Sequence, residues 1–238
     1  FMFNCMKKMD REACVMSIVN RRAEATAALL QSLKEMLTPT GISDIRYFRR
    51  DIAGAHLPQF ADGDWPSFDG HLAYSQDEPV LWVRFRVIIP EQIAGIPVAG
   101  TQTRLRFLFK APTALYVDGR LRLQENSWLD SQAPEIVLSD AAVPGTVYLC
   151  AIRIDSANAN WGADFEGWIE YDRADKAAFD LECMAAECQY IARLANDDPG
   201  SAGILDKVID FLNEKLAPVQ TSGDASQITE ILQAARRI

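Results

Sequence analysis

Between Val80 and Tyr171 apolar and polar positions alternate. Leu81, Val83, Phe85 and Val87 interleave with Trp82, Arg84 and Arg86, and Leu105, Phe107 and Phe109 interleave with Arg104, Arg106 and Lys110. A period of two predicts strands with one apolar and one polar face. Two further alternating runs, Ala114 to Val117 and Arg120 to Leu123, flank Asp118-Gly119. An Asp-Gly pair in that position predicts a hairpin, because a type I′ turn needs positive φ at both central residues. More strands are expected at 135–138, 146–155 and 165–171, with Pro90, Pro97, Pro112, Pro134 and Pro144 between them.

On either side the period changes to that of a helix. Leu29, Leu30, Leu33, Met36 and Leu37 predict a helix from about Asp10, ended by Thr38-Pro39-Thr40-Gly41, with an irregular stretch to Pro79. Ala177, Leu181, Met184, Cys188, Ile191 and Ala195 mark one apolar stripe, and Ile204, Leu205, Val208, Ile209, Leu212 and Leu216 a second. Asp197-Asp198-Pro199-Gly200 breaks the run between them, and a short helix from Ile228 follows Pro218 and a polar stretch. The expected fold is α+β: an antiparallel β-sandwich of the galactose-binding-like jelly-roll kind over 45–171, after an N-terminal helix and tail (1–44) and before a helical hairpin and linker (172–238).

Composition narrows the classes of function. At 238 residues, 49% apolar and 24% charged, the chain has the make-up of a globular protein, and no apolar run reaches the ~20 residues of a membrane span. A net charge of -9 disfavours phosphate backbones, so neither nucleic acid nor membrane is an expected partner. Cys5, Cys14, Cys150, Cys183 and Cys188 contain no CxxC spacing and read as buried thiols of a reducing cytoplasm. His56 and His71 are the only histidines, which excludes HxH and HExxH metal motifs, so no metal site is expected in this chain.

Three groups of residues merit weighing as chemistry. Ser67, Asp69 and His71 read as a surface loop, since nearness in sequence does not build a relay. Asp164, Glu166 and Glu170 offer the paired carboxylates of glycoside hydrolysis, yet on a strand they read first as a solvated face. The aromatics Trp65, Trp82, Tyr116, Trp128, Trp161 and Trp168 lie in or near the strand region. Trp65, Tyr116 and Trp128, with Asp118, Arg120 and Asn126 nearby, are the candidate ligand-binding set. Rings stack on pyranoses while polar groups bond hydroxyls; the same rings equally suit a core.

The order Asp64-Trp65, then LWVRFRVIIPE over Leu81 to Glu91, then LYVDG over Leu115 to Gly119, then PEIVL over Pro134 to Leu138, resembles the N-terminal region of family 38 α-mannosidases. It resembles more loosely the sugar-binding sandwich of β-galactosidase-like enzymes. The α-mannosidase resemblance implies retaining hydrolysis of terminal α-mannosides by a zinc ion and an Asp nucleophile. Both would lie in a catalytic domain with a His-x-His-x-Asp motif that this chain does not contain. The expectation is therefore a non-catalytic accessory region without catalytic residues or cofactor of its own, with zinc only in the missing domain. The expected partner is the catalytic domain of the same polypeptide, with carbohydrate and a second copy of the chain as further partners. The alternative is a stand-alone carbohydrate-binding module. An accessory role predicts exposed apolar surface on the hairpin helices.

Overall fold

A computed structural model describes residues 2–37, 42, 44–68, 71–72, 79–108, 113–125, 134–155, 163–164, 166–195 and 198–238. Side-chain surroundings are described for these except 2–17, 71–72, 108, 125, 163–164, 166 and 199. In chain order the elements are α1 (Met2–Met36), β1 (Arg46–Phe48), β2 (His71–Leu72), β3 (Val80–Ile88), β4 (Gln92–Ile93), β5 (Ile96–Pro97), β6 (Thr103–Leu108), β7 (Thr113–Val117), β8 (Arg120–Glu125), β9 (Glu135–Ser139), β10 (Val147–Asp155), β11 (Ala163–Asp164), β12 (Glu166–Tyr171), α2 (Asp172–Leu194), α3 (Pro199–Ser222) and α4 (Ile228–Ala235). The class is α+β, with four helices and antiparallel sheets among the described residues. None of those helices is long and apolar enough to cross a membrane.

The chain divides into two compact units. The β unit comprises Pro39–Glu91 and Val98–Asp172. Its larger sheet has the order β1-β3-β10-β7-β8, and a three-stranded sheet has the order β12-β6-β9. Both follow the period-two pattern. Leu81, Val83, Phe85 and Val87 are buried, as are Cys150, Ile152 and Ile154 of β10 and Leu115 and Val117 of β7. Leu105, Phe107, Ile136, Leu138 and Ile169 form the buried face of the smaller sheet. Asp118 and Gly119 take φ of 49° and 79°, and Val117 pairs with Arg120, so the two-residue hairpin turn forms at the Asp-Gly pair.

The helical unit comprises Phe1–Thr38, Gln92–Pro97 and Arg173–Ile238. Leu30, Leu33 and Leu37 of α1 share one core with Ala177, Leu181, Met184 and Cys188 of α2, Leu205, Ile209, Leu212 and Leu216 of α3, and Ile228 and Leu232 of α4. Arg22 bridges Asp206 and Asp210 at its edge, and Lys34 Nζ lies 2.8 Å from Glu182. Between β4 and β5 the chain turns at Ala94-Gly95, and the Ala94 carbonyl accepts from Ala225 N–H at 2.7 Å. Ile96 joins the helical core.

Three local readings change. α1 starts at Met2, well before Asp10. α3 runs through Pro218 to Ser222, because Pro218 lies in the last turns on an exposed side, and the helix stops at left-handed Gly223. Asp198, read as part of a breaker, also caps α3: its carboxylate accepts from Gly200 N–H at 3.1 Å and Ser201 N–H at 3.0 Å.

Candidate functional site

The alternate face of the five-stranded sheet is where sequence and structure diverge most. Registers Arg153↔Trp82, Ala151↔Arg84 and Ala151↔Tyr116 put these five residues on one face. The sequence predicts a polar face there. Instead residues 49–66 lie over it as a strap, and Trp82 and Arg84 are buried.

Arg84 holds the strap. Its Nε donates to Asp62 Oδ2 at 2.8 Å, Nη1 to the carbonyls of Ala55 and Leu57, and Nη2 to the Phe60 carbonyl at 3.3 Å. The guanidinium carbon lies 5.6 Å from the centre of the Phe60 ring and 6.0 Å from that of Trp65. Phe48 stacks on Trp65 at 5.4 Å. Burial tends to raise the Asp62 pKa, but the hydrogen bond and charge of Arg84, with Arg86 beside it, outweigh this and hold it below its ordinary value.

Further along the same face, three rings meet. His56 of the strap lies 4.7 Å from Tyr116 and 6.3 Å from Trp82, and Trp82 lies 6.0 Å from Tyr116. His56 and Tyr116 are half-buried. At the rim Asp51 accepts from Arg153 Nη2 at 3.0 Å and from Trp82 Nε1 at 3.4 Å. The Arg153 hydrogen bond is the main cause holding the Asp51 carboxyl below its ordinary value.

The candidate ligand-binding residues separate. Trp65 belongs to the strap itself and is buried in the cluster with Ala55, Trp82 and Ala151, and Tyr116 joins His56 and Trp82. Asp118 belongs to the turn: its Oδ1 accepts from Leu149 N–H at 2.9 Å, and its own N–H donates to the Leu149 carbonyl. Arg120 is exposed beside it. Asn126 and Trp128, like Trp161 and Asp69, lie outside the described residues. Sequence reasoning missed Asp51, His56 and Arg153. Their one signal was Trp82 placed among arginines in an alternating strand.

The acidic set also resolves. Glu170 lies 3.3 Å from Arg104 Nε and 2.9 Å from Arg106 Nε, and accepts from Trp168 Nε1 at 3.1 Å. The Arg106 contact is off the N–H direction and is an ion pair rather than a hydrogen bond. Burial pushes the Glu170 carboxyl up, but the indole N–H and the two guanidinium groups outweigh it, so it stays below the ordinary glutamate value. Held ionised, it is unsuited to the general-acid role of a glycosidase. Asp164 pairs in register with His71 across β11 and β2, and the side chains of Asp164 and Glu166 lie outside the described residues. Ser67 forms an isolated bridge with Arg46.

No family model matches the chain. No curated protein matches it either. Among solved structures, it is similar to a family 2 glycosyl hydrolase from Bacteroides cellulosilyticus at 16% identity and a TM-score of 0.46, over 55% of this chain and 20% of that one. It is similar to a β-glucuronidase from Bacteroides uniformis at 14% identity and a TM-score of 0.43, over 53% and 16%. A third, a β-glucuronidase from Ruminococcus gnavus, gives 13% identity and a TM-score of 0.39, over 55% and 28%. The chain thus spans between 16% and 28% of these proteins.

These neighbours correct the resemblance to the N-terminal region of family 38 α-mannosidases, since they are a family 2 glycosyl hydrolase and two β-glucuronidases. The physical reason lies in the motifs. A strand ending in proline and a Val-Asp-Gly hairpin encode sheet edges and a turn, which unrelated sandwiches share. The zinc ion and Asp nucleophile rested on that resemblance alone.

Proposed function

We propose that this chain is a non-catalytic accessory region of a larger glycoside hydrolase, docking through its helical unit on other parts of the same polypeptide. One observation carries the reading. On α2, Phe179, Tyr190 and Leu194 are 63%, 62% and 44% exposed, at spacings that place them along one side of the helix. Large apolar side chains in a row on an exposed helix are the usual mark of a surface that another body covers.

Glycoside hydrolysis as the parent reaction takes its support from the looser sequence resemblance, in the order of motifs from Asp64 to Leu138, to the β-galactosidase-like sugar-binding sandwich. A sandwich in the β unit is part of the proposal. Each of its two main sheets has one buried apolar face, and two such faces satisfy one another most simply when stacked.

The test has two arms. The purified chain, assayed on a panel of aryl glycosides, is expected to give no turnover. The natural polypeptide that carries it is expected to hydrolyse at least one. Hydrolysis by the chain alone that is abolished by Glu170→Gln, or inactivity of the longer polypeptide on every glycoside, overturns the proposal.

A further inference from the structure

The β4–β5 hairpin interrupts the β unit and is built into the other core. The chain leaves the β unit after Glu91 and re-enters it at Val98. Both stems are fixed. Ile89 and Val98 are each 1% exposed. Ile89 N–H donates to the Thr146 carbonyl at 2.9 Å, and Val98 N–H donates to the Glu91 carbonyl at 3.0 Å. The six residues Gln92–Pro97 belong to the helical unit. Ile96 is buried in its core, and Ile93 and Ala94 pack against that core. At the tip Ala94 and Gly95 turn with φ of 45° and 83°. There the Ala94 carbonyl accepts from Ala225 N–H, and Gly95 lies against Asp224, both of the α3–α4 corner. The two paired positions, Gln92↔Pro97 and Ile93↔Ile96, are too few to hold a hairpin in water. Its order comes from its stems at one end and its seat at the other.

We propose that this hairpin is a latch that couples the stability of the two units. While the β unit is folded, its stems close the segment that carries Ile93 and Ile96, so seating them orders little further chain. When the β unit unfolds, the same side chains join the helical core only by ordering a free loop. The helical unit is therefore more stable beside a folded β unit. By linkage the β unit gains the same amount from a folded helical unit. A body that binds and stabilises the helical unit thus also steadies the β unit without touching it. The latch does not depend on what that body is, and stands apart from the accessory role.

Urea unfolding of the full chain reads the two units separately. All five tryptophans lie between Pro39 and Asp172, in the β unit. The helices, apart from Asp172 at the start of α2, lie in the helical unit. Tryptophan emission follows the first, and far-ultraviolet circular dichroism chiefly the second. In the parent chain the two midpoints are expected to coincide. Leu205→Ala in the helical core leaves the hairpin intact and should lower both together. Two variants break the latch. Ile96→Ser removes its buried anchor. Short Gly-Ser spacers inserted after Glu91 and after Pro97 keep every hairpin side chain but free it from its stems. In each, the two midpoints should separate by about 0.5 M urea or more. The spacer variant distinguishes a latch from a packing role for Ile96, and it decides alone where Ile96→Ser does not fold. Midpoints already apart in the parent, midpoints that separate in Leu205→Ala, or coincident midpoints in a latch variant that folds each overturn the proposal.

Discussion

Arg84 satisfies a buried guanidinium with one carboxylate and three backbone carbonyls, all from a segment of irregular backbone. The arrangement explains how residues 49–66 keep a defined path without a strand or helix. Replacing Arg84 with Met would leave Asp62 with Arg86 alone and take the donor from three carbonyls of the strap. The expected loss is about 3–5 kcal/mol, measured by urea unfolding. Arg84→Lys should rescue little of it, because a compact ammonium cannot reach four acceptors set around a planar fork. Acid should act at the same place. The Asp62 pKa is depressed in the folded state, so its stabilisation is complete above the ordinary aspartate value of about 3.9 and disappears as pH falls through the lower folded value. Unfolding midpoints should therefore stay level from pH 7 to about 5 and fall below about 4. Asp62→Asn should start less stable at pH 7 and show a shallower acid decline. An unaltered slope would remove Asp62 from the account.

Among the elements, those with strong periodicity were legible. The alternating strands, the Asp-Gly hairpin and the two C-terminal stripes all follow from residue spacing. The strap was not, because its order comes from Arg84, about 20 to 30 positions away in sequence, and no local pattern records a tertiary hydrogen bond. The candidate site was half legible for the same reason. Tyr116 stood out as an aromatic in a hairpin, whereas Asp51 and His56 reach it only through the strap. The small hairpin β4–β5 was also hidden, since four paired residues carry no period. Its Gly95 is a sharp point of constraint, with φ of 83° and a Cβ position that would overlap the Asp224 side chain. Gly95→Ala should destabilise the chain by roughly 1–3 kcal/mol through combined backbone strain and overlap. Gly145 has almost the same φ, 82°, but open space around it. Gly145→Ala should therefore produce the smaller drop in thermal midpoint, and equal drops would show that crowding at Asp224 contributes nothing.

At the scale of the molecule, neither compact unit is one continuous stretch of chain. The helical core draws Leu30, Leu33 and Leu37 from near the start, Ile96 from between strands, and α2, α3 and α4 from the end. A peptide of residues 173–238 lacks the first two sources. It should show little helical circular dichroism alone and gain it when residues 2–37 are supplied in trans, because the apolar stripes of its helices would otherwise face water. Full helicity of the isolated peptide would mean that α1 is an ornament rather than part of the core.

The ion pair of Arg22 with Asp206 spans 184 positions. During synthesis that separation becomes a delay. A ribosome adding 5–20 residues per second needs roughly 10–40 s between the two. For most of that interval α1 waits for α2 and α3, which are not yet translated, while much of the β unit has already been made. The nascent chain must tolerate an unpaired leucine stripe for longer than most small domains take to fold. A holdase or a transient contact that shielded that stripe would have a working window set by the distance between those two residues.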